Sequence, residues 1–304
     1  MYVAVVGAGA LGAVYGVRLA LRTSTTVTFV VRPRRVTETT PLTIHRIGKD
    51  DVEELAAPTR AAVVPRDADV IVLAVGTEDL EALRTPLGDS EAPIVVLTPM
   101  MPDDWSRMRE AFGERVHAAL PTVVSYLRDG EIRYWLQAMP TKIDEPRAGE
   151  HGVAVRAFAR ALDDAGLTTR FELGVHENNP ATTLCFIPLG MALSLAPSME
   201  AFAKDAELVE LAQRACAEGV ALARRVGRAE PFATFAPWIV QPMFLRIAVA
   251  ALHRFNPEVI HYAEHHFGAK LKDQHRMMAE TIVALAEAKA MPHDALAALA
   301  ARLA

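Results

Sequence analysis

The stretch VAVVGAGALGAVYGVRLA, residues 3–20, constrains the fold of this chain more than any other segment. A β-branched run leads directly into glycines and then into a segment of helical length and spacing. In such a strand–turn–helix unit, the first glycine allows a tight turn, the second lets backbone amides approach a pyrophosphate, and the third lets helix and strand pack closely. The alternative is a tight turn without a ligand. The pattern predicts a dinucleotide site formed by Gly7, Gly9, Ala10, Leu11 and Gly12.

The end of the second apolar run indicates which dinucleotide would bind. The run of residues 25–31 is followed by Arg32-Pro33-Arg34-Arg35, about 20 residues after the glycines, as the fingerprint requires. NAD sites usually carry Asp or Glu here for the ribose hydroxyls, whereas a cationic side chain suits a 2′-phosphate. Arg32 lies nearest the strand, so we expect it to bind this phosphate and the cofactor to be NADP(H). Arg34 and Arg35 are better candidates for solvent-exposed positions.

Further periodic segments indicate the domain organisation. Apolar runs recur at 70–75 and 94–98, each followed by a helix-compatible segment, which is the alternation of a doubly wound parallel sheet. Two alternating strands flank Asp129-Gly130, a dipeptide suited to a type I′ turn, and we expect this hairpin to be an antiparallel addition to the sheet. We predict an α/β nucleotide-binding domain over 1–174 and an all-helical domain over 175–304.

Composition and charge exclude several classes of protein. The formal net charge is −5, so no net positive field attracts nucleic acid. The two cysteines, Cys185 and Cys216, lie in apolar sequence typical of reduced, buried thiols. Residues 178–199 lack charge, but Pro180, Pro188 and Pro197 favour a buried helix over a membrane span. The first strand leads directly into glycines without a basic and apolar leader, so we expect a cytoplasmic protein without nucleic-acid or membrane partners.

Four segments together resemble the ketopantoate reductase family along essentially the whole chain. They are GAGALGAVYG (7–16), VTFVVRP (27–33), LRDGEI (127–132) and AEAKAMP (286–292). The resemblance implies a Rossmann-type domain followed by an all-helical domain. It also implies NADPH-dependent reduction of a 2-oxo acid between the two domains, with the nicotinamide held near Val75, Gly76 and Thr98.

The chain departs from the family where the resemblance places the chemistry. The family's catalytic lysine, which polarises the ketone and supplies a proton, should lie early in a helix over about 177–195, but no Lys or Arg occurs between Arg170 and Lys204. The best register places Asn179 at that position. The family's second lysine falls around Gly76, its asparagine at Thr98-Pro99, and its substrate-binding glutamate near Lys272 or Asp273. We conclude that the cofactor side is kept and the substrate side is rebuilt.

Three residues are candidates for the altered chemistry. His176 precedes Asn179 by three residues, and an imidazole suits proton transfer; the commoner situation is a solvent-facing histidine at the start of a helix. Asn179 could donate an amide hydrogen bond to a carbonyl oxygen, or it could cap a helix opened by Pro180. Asp273 is a candidate cleft carboxylate, although charge-rich segments are more often solvated.

Two further groups of residues point less directly to function. His261 and His265 have the i, i+4 spacing of metal ligands, but without a third ligand we expect no metal site. We expect an aromatic and methionine-rich series to pack the helical core, or alternatively to receive a bulky apolar substrate. The series is Phe232, Phe235, Trp238, Met243, Phe244, Met277 and Met278.

The leading hypothesis is an NADPH-dependent oxidoreductase that acts on a carbonyl or hydroxyl substrate other than ketopantoate. The alternative is a non-redox enzyme, catalysing cyclisation or elimination, or a nucleotide-binding protein that has lost hydride transfer. The missing lysine motivates this alternative. We expect the protein to be a homodimer, since closed twofold dimers are the commonest oligomers.

Overall fold

The strand, glycine turn and helix at the start of the sequence form as predicted. In this computed structural model, which describes residues 1–49, 51–75, 80–229, 231–268 and 272–304, β1 (Tyr2–Val6) leads through the glycines into α1 (Ala10–Arg22). The chain divides into two compact units, residues 1–179 and 180–304. The first unit is α/β and the second is helical, which confirms the predicted fold class.

The first unit contains two sheets. Its further strands are β2 (Thr26–Val30), β3 (Leu42–Arg46), β4 (Asp51–Leu55), β5 (Thr59–Ala61), β6 (Val70–Leu73), β7 (Ile94–Val96), β8 (Val116–Leu120), β9 (Val123–Arg128), β10 (Glu131–Leu136), β11 (Thr141–Asp144) and β12 (Thr169–Glu172). Its further helices are α2 (Leu80–Leu87), α3 (Pro102–Phe112) and α4 (Glu150–Asp164).

The larger sheet has the order β12-β11-β8-β7-β6-β1-β2-β5. The strands from β8 to β5 run parallel, with Val5 of β1 level with Phe29 of β2 and Val72 of β6. β11 is antiparallel to β8, and β12 is parallel to β11. The central strands are buried on both faces, which explains their continuous β-branched runs. The carboxyl ends of β1, β2, β6 and β7 therefore meet at one edge of the sheet.

The predicted hairpin forms, but the prediction of its place was wrong. Asp129 and Gly130 both have positive φ, at 52° and 83°, as a type I′ turn requires. The hairpin strands β9 and β10 belong to a separate four-stranded sheet of order β4-β3-β10-β9, in which β10 pairs in parallel with β3. The antiparallel strand that joins the larger sheet is β11 instead.

Helix α1 packs against both sheets and is buried from Gly12 to Leu19. Within this stretch the Arg18 guanidinium donates hydrogen bonds to the Ala165 carbonyl oxygen at 2.9 Å and to the Tyr134 hydroxyl at 2.8 Å. The Glu53 carboxylate of the smaller sheet lies 3.7 Å away. Because a buried charge needs partners, this network links α1 to the smaller sheet and to the segment after α4.

The second unit consists of helices. Helix α5 (Val175–Ser194) begins before the division between the units, and the helices after it are α6 (Met199–Lys204), α7 (Ala206–Val226), α8 (Pro231–Thr234), α9 (Ala236–Ile239), α10 (Pro242–Phe255), α11 (Pro257–Phe267), α12 (Lys272–Ala288) and α13 (Asp294–Leu303). Gly219 allows α7 to approach α5, since a Cβ there would lie 1.9 Å from the Leu184 carbonyl oxygen. Cys185 and Cys216 are buried and unbridged, as predicted. Across the described residues, no helix is both long and apolar enough to cross a membrane.

The expectation that the aromatic and methionine-rich series packs the core was wrong for much of it. Five of its members expose more than half of their surface: Phe235, Trp238, Met243, Phe244 and Met277. The side chain of Phe232 lies outside the described residues. Helical spacing aligns these residues on one face of a helix, but it does not decide whether that face is buried or exposed.

Candidate functional site

The glycine loop closes tightly against the end of β6. Gly7 has φ +100°, its N–H donates to the Val30 carbonyl oxygen at 3.0 Å, and a Cβ there would lie 2.4 Å from a Val75 methyl carbon. A Cβ at Gly12 would lie 2.0 Å from the Gly7 carbonyl oxygen. Around Gly9, in contrast, nothing lies within 4 Å of such a Cβ. The first and third glycines thus permit close packing, while the second borders open space.

The amino end of α1 faces this loop without a side-chain cap. Gly9 is the N-cap and has no side chain with which to cap the helix, and the first turn contains no acidic residue. Ala10 and Leu11 are half-buried at this end of the helix. Since the first amides of a helix are unsatisfied within it and lie at the positive end of its dipole, this arrangement fits a pyrophosphate group.

Arg32 lies exposed immediately after β2, at the start of a single 3-10 turn, Pro33–Arg35. Within the described part of the chain Arg32 forms no ion pair, whereas Arg35 pairs with Glu38 at 3.0 Å. Arg60 of β5 donates to the carbonyl oxygens of Glu38 and Thr40, at 2.5 and 2.6 Å, and so fixes the segment after this 3-10 turn. The sequence analysis missed Arg60 because it did not predict that β5 pairs with β2.

The neighbouring strand ends complete this edge of the sheet. The Thr98 hydroxyl after β7 donates to the Val75 carbonyl oxygen after β6 at 2.8 Å. Thr98 is half-buried. Gly76, the other residue proposed here, lies outside the described residues. The structure thus brings Gly7, Gly9, Gly12 and Thr98 to the strand ends of one sheet edge, as expected for a doubly wound nucleotide fold.

His176 is fixed by two neighbours from other elements. Its Nδ1 lies 3.3 Å from Oδ2 of Asp144, and its ring stacks on the Trp105 indole with centroids 4.4 Å apart. Asp144 is itself held by two backbone amides, accepting from Val175 at 2.6 Å and from Ala118 at 3.3 Å. A carboxylate at Nδ1 orients the imidazole and favours a proton at that nitrogen, which leaves Nε2 for exchange with a partner. The side chain remains 31% exposed.

His176 lines a cavity of about 710 Å³ in the first unit, together with Trp105, Asp144 and His117. Arg109 and Arg147 also line it, and both pair with Glu114. His117 is buried, and its Nε2 has no hydrogen-bond partner among the described residues. Burial lowers the pKa of His117 to about 4, so this imidazole is neutral near pH 7. The sequence analysis missed Asp144 and His117, because only the pairing of β11 with β8 brings these two strands together. It also missed Trp105, which comes from α3 and is distant in sequence from His176.

Asn179 and Asp273 have different surroundings. Helix α5 begins at Val175, so Asn179 lies in its second turn and is not the N-cap suggested by Pro180. Asn179 is fully buried and is not part of the cavity lining. Asp273 lies exposed in the first turn of α12, in the second unit. Among the described residues, no three His, Cys, Asp or Glu side chains are grouped to hold a metal ion.

Residues 3–136 match the model of the ketopantoate reductase PanE/ApbA family. This confirms the resemblance inferred from the glycine segment and the hairpin, both of which lie within the matched residues. A search of curated proteins gives no match.

Solved structures share the fold over the whole chain. The 2-dehydropantoate 2-reductase of Geobacter metallireducens GS-15 has a TM-score of 0.70 at 18% identity, with coverage of 100% of this chain and 99% of that one. A D-mandelate dehydrogenase bound to NADH and anilino(oxo)acetate gives 0.67 at 14% identity, covering 100% and 97%. The dimeric ketopantoate reductase of Staphylococcus aureus gives 0.65 at 14% identity, covering 100% and 99%. The chain therefore has the fold of ketopantoate reductase-like oxidoreductases.

Proposed function

We propose that this protein is an NADPH-dependent oxidoreductase acting on the carbonyl or hydroxyl group of a small molecule other than ketopantoate. The observation that carries the proposal is the glycine loop, in which Gly7 and Gly12 allow close packing while the uncapped start of α1 faces open space beside Gly9. A capping side chain or an acidic residue would block this position, and neither is present in the first turn of α1. The matched ketopantoate reductase domain contains the whole loop.

The residues at the sheet edge fit NADPH. The amides of α1 would hold the pyrophosphate, and Arg32 would bind the 2′-phosphate through charge-assisted hydrogen bonds. Thr98 and Val75, joined by their hydrogen bond, would border the nicotinamide end. When bound, NADPH supplies a hydride to a substrate carbon; the protein must stabilise the carbonyl oxygen and provide the accompanying proton.

His176, the sequence candidate for the source of that proton, lies away from this edge, because its cavity is lined at the amino end of β8 and not by Gly7, Val75 or Thr98. Its Nδ1 faces Asp144 at the edge of the sheet opposite the strand ends that carry Val75 and Thr98. Asp144 keeps the ring oriented, and the Trp105 indole fixes the ring plane. Asn179 and Asp273 stay candidates from the sequence; Asn179 is fully buried and Asp273 is exposed to solvent.

The first experiment is calorimetric titration of the nucleotide-free protein with NADPH and, in parallel, with NADH. We expect NADPH to bind more tightly. NADPH absorbance is then followed with a panel of 2-oxo acids and other carbonyl compounds that includes ketopantoate as a negative control. NADPH that binds but is never consumed would favour the non-redox alternative, which the missing lysine motivates. Failure to bind either nucleotide would refute the proposal.

The role of His176 is tested with His176→Gln once a substrate is in hand. Loss of a general acid typically costs about 10²- to 10⁴-fold in rate. Because His176 lies at the opposite edge of the sheet, we expect kcat to fall far less than this and NADPH affinity to be unchanged. His151→Gln is the matched control, since His151 lines the same cavity but is exposed on α4. Equal activity in wild type and His176→Gln would exclude His176 as the donor without affecting the nucleotide assignment.

A further inference from the structure

The cavity beside His176 has no part in the proposed reaction. Its volume is about 710 Å³, and its lining residues all lie between 105 and 176, within the first unit. Gly7, Val75 and Thr98 lie at the opposite ends of the strands and do not line it. A cavity of this size with several convergent polar groups is typical of a ligand site. Its lining groups therefore indicate what it binds.

The amino end of α4 lines this cavity. Gly149 is the N-cap, with φ 124° and no side chain with which to cap the helix. A Cβ at Gly152 would lie 1.9 Å from the Arg147 carbonyl oxygen, so glycine lets the preceding loop fold back on the first turn. The amides of Glu150, His151 and Gly152 have no acceptor within the helix and lie at the positive end of its dipole. This end of α4 therefore favours an anionic group.

His117 of β8 adds an unsatisfied polar atom to the same cavity. Its side chain lines the cavity and is only 7% exposed. Its Nε2 has no hydrogen-bond partner in the described part of the chain. A buried polar atom without a partner is costly, and such atoms in native proteins usually meet a water or a ligand. His117 thus points to a bound group independently of the helix end.

Two arginines contribute positive charge to the lining. Arg109 and Arg147 both pair with the Glu114 carboxylate, Arg147 at 2.7 Å. These three side chains together carry one net positive charge. Since a guanidinium has five N–H donors, a single shared carboxylate leaves several donors for a ligand.

Acceptors in the lining indicate which kind of anion fits. The carboxylates of Asp144, Glu145 and Glu150 also line the cavity. Asp144 lies at Nδ1 of His176, so Nε2 of the neutral ring is an acceptor as well. A carboxylate or sulfate ligand carries no proton near pH 7 and has only acceptors to offer. A phosphate monoester has a second pKa of about 6 and can keep one proton for donation.

We propose that this cavity binds the phosphate group of a small phosphate monoester. The amides at the start of α4 and the Arg147 guanidinium hold the unprotonated oxygens, while His117 and His176 accept from the protonated one. The volume of the cavity leaves room for the rest of the molecule. This inference goes beyond the proposed function and does not depend on it.

NMR of the full-length protein labelled with ¹³C in its histidine rings tests the proposal. The signals of His117 and His176 are assigned by their loss in His117→Gln and His176→Gln. Inorganic phosphate and glycerol 3-phosphate, titrated near pH 7, should each shift both signals to saturation. Sulfate has the same tetrahedral shape without the proton, so it should bind at least about tenfold more weakly.

Arg147→Glu tests the charge of the site without touching the core, since the Arg147 side chain is 81% exposed. It should raise the phosphate dissociation constant about tenfold, because it reverses one charge beside a group that carries about −1.5 to −2. Arg66→Glu is the matched control. Arg66 is also 81% exposed and pairs with Asp89 at 2.7 Å, but it does not line the cavity, so phosphate binding should be unchanged. Circular dichroism of both variants reports on folding.

Three results would overturn the proposal. Signals of His117 and His176 that do not move with phosphate would leave the cavity to water. Equal binding of phosphate and sulfate, unaffected by Arg147→Glu, would indicate an adventitious ion only. NADH carries no phosphate monoester, and its addition should leave the phosphate-shifted signals in place. Reversal of the shifts by NADH would assign the cavity to the nucleotide site instead.

Discussion

Replacement of Arg32 by glutamate tests the cofactor preference. Arg32 is exposed after β2 and forms no ion pair in the described part of the chain, so its removal leaves no charged protein partner behind. Any effect on NADPH affinity should therefore come from its charge near the 2′-phosphate. NADH lacks this phosphate, and comparison of the two nucleotides isolates that single contribution.

The magnitude follows from Coulomb's law. At about 5 Å in water two unit charges interact by about 0.8 kcal/mol, and the phosphate carries a charge of about −1.5 to −2. Replacing Arg32 by glutamate changes the local charge by two units, which gives about 3 kcal/mol before screening. Physiological salt roughly halves this at that distance, leaving about 1.5 kcal/mol, or about a tenfold change in dissociation constant.

We expect Arg32→Glu to raise the NADPH dissociation constant about tenfold and the NADH constant less than about threefold, measured calorimetrically. The difference should shrink as salt is added. Arg34→Glu is the control, because Arg34 is exposed in the same 3-10 turn but lies further from the strand end. Equal weakening of both nucleotides, or no change in either, would refute the assignment of Arg32.

Three further predictions concern the first unit. Gly12→Ala would place a Cβ 2.0 Å from the Gly7 carbonyl oxygen, so it should lower both the melting temperature and the NADPH affinity. Gly9→Ala has open space around the new Cβ, so it should leave the melting temperature unchanged and lower only the NADPH affinity. Because burial lowers the pKa of His117 to about 4 from 6.5, the unfolded state binds the proton first and the free energy of unfolding falls as pH drops through this window. Urea titrations near pH 7.5 and pH 5 measure this change. Between these pH values the free energy of unfolding should fall by about 2 kcal/mol more in wild type than in His117→Gln, and equal falls would contradict the burial argument. Gly130→Ala, at φ 83°, should cost about 1 kcal/mol of unfolding free energy in the same assay, and a neutral result would show that the turn relaxes.

The sequence predicts the strand, glycine turn and helix at the start of the chain well, because the constraints there are local. The β-branched residues of β1, the glycines and the start of α1 follow one another directly, and each allows few conformations. The same holds for Asp129 and Gly130, whose positive φ depends only on the two residues themselves. The sheet to which the hairpin strands belong could not be predicted in this way, since the pairing of β10 with β3 joins segments that are distant in sequence.

Strands with charged residues escape prediction by pattern. β11 reads TKID and is buried throughout, because Lys142 pairs with Glu172 at 3.2 Å and Asp144 accepts two backbone amides. Such compensation is invisible until the partners are known. Unless β11 is recognised, the sequence offers no reason to connect Asp144 with His176. His176 could therefore be named from the sequence, but its contact with Asp144 could not be predicted.

The burial of α1 between two sheets has a dynamic consequence. A helix held on both sides, with Arg18 tied to Tyr134 and to the Ala165 carbonyl oxygen, cannot fray or shift unless both sheets separate. Its amides from Gly12 to Leu19 should therefore exchange with solvent only through global opening of the first unit. The amino end of such a helix would receive its ligand without an ordering step, and a ligand bound there would raise the stability of both sheets together by mass action.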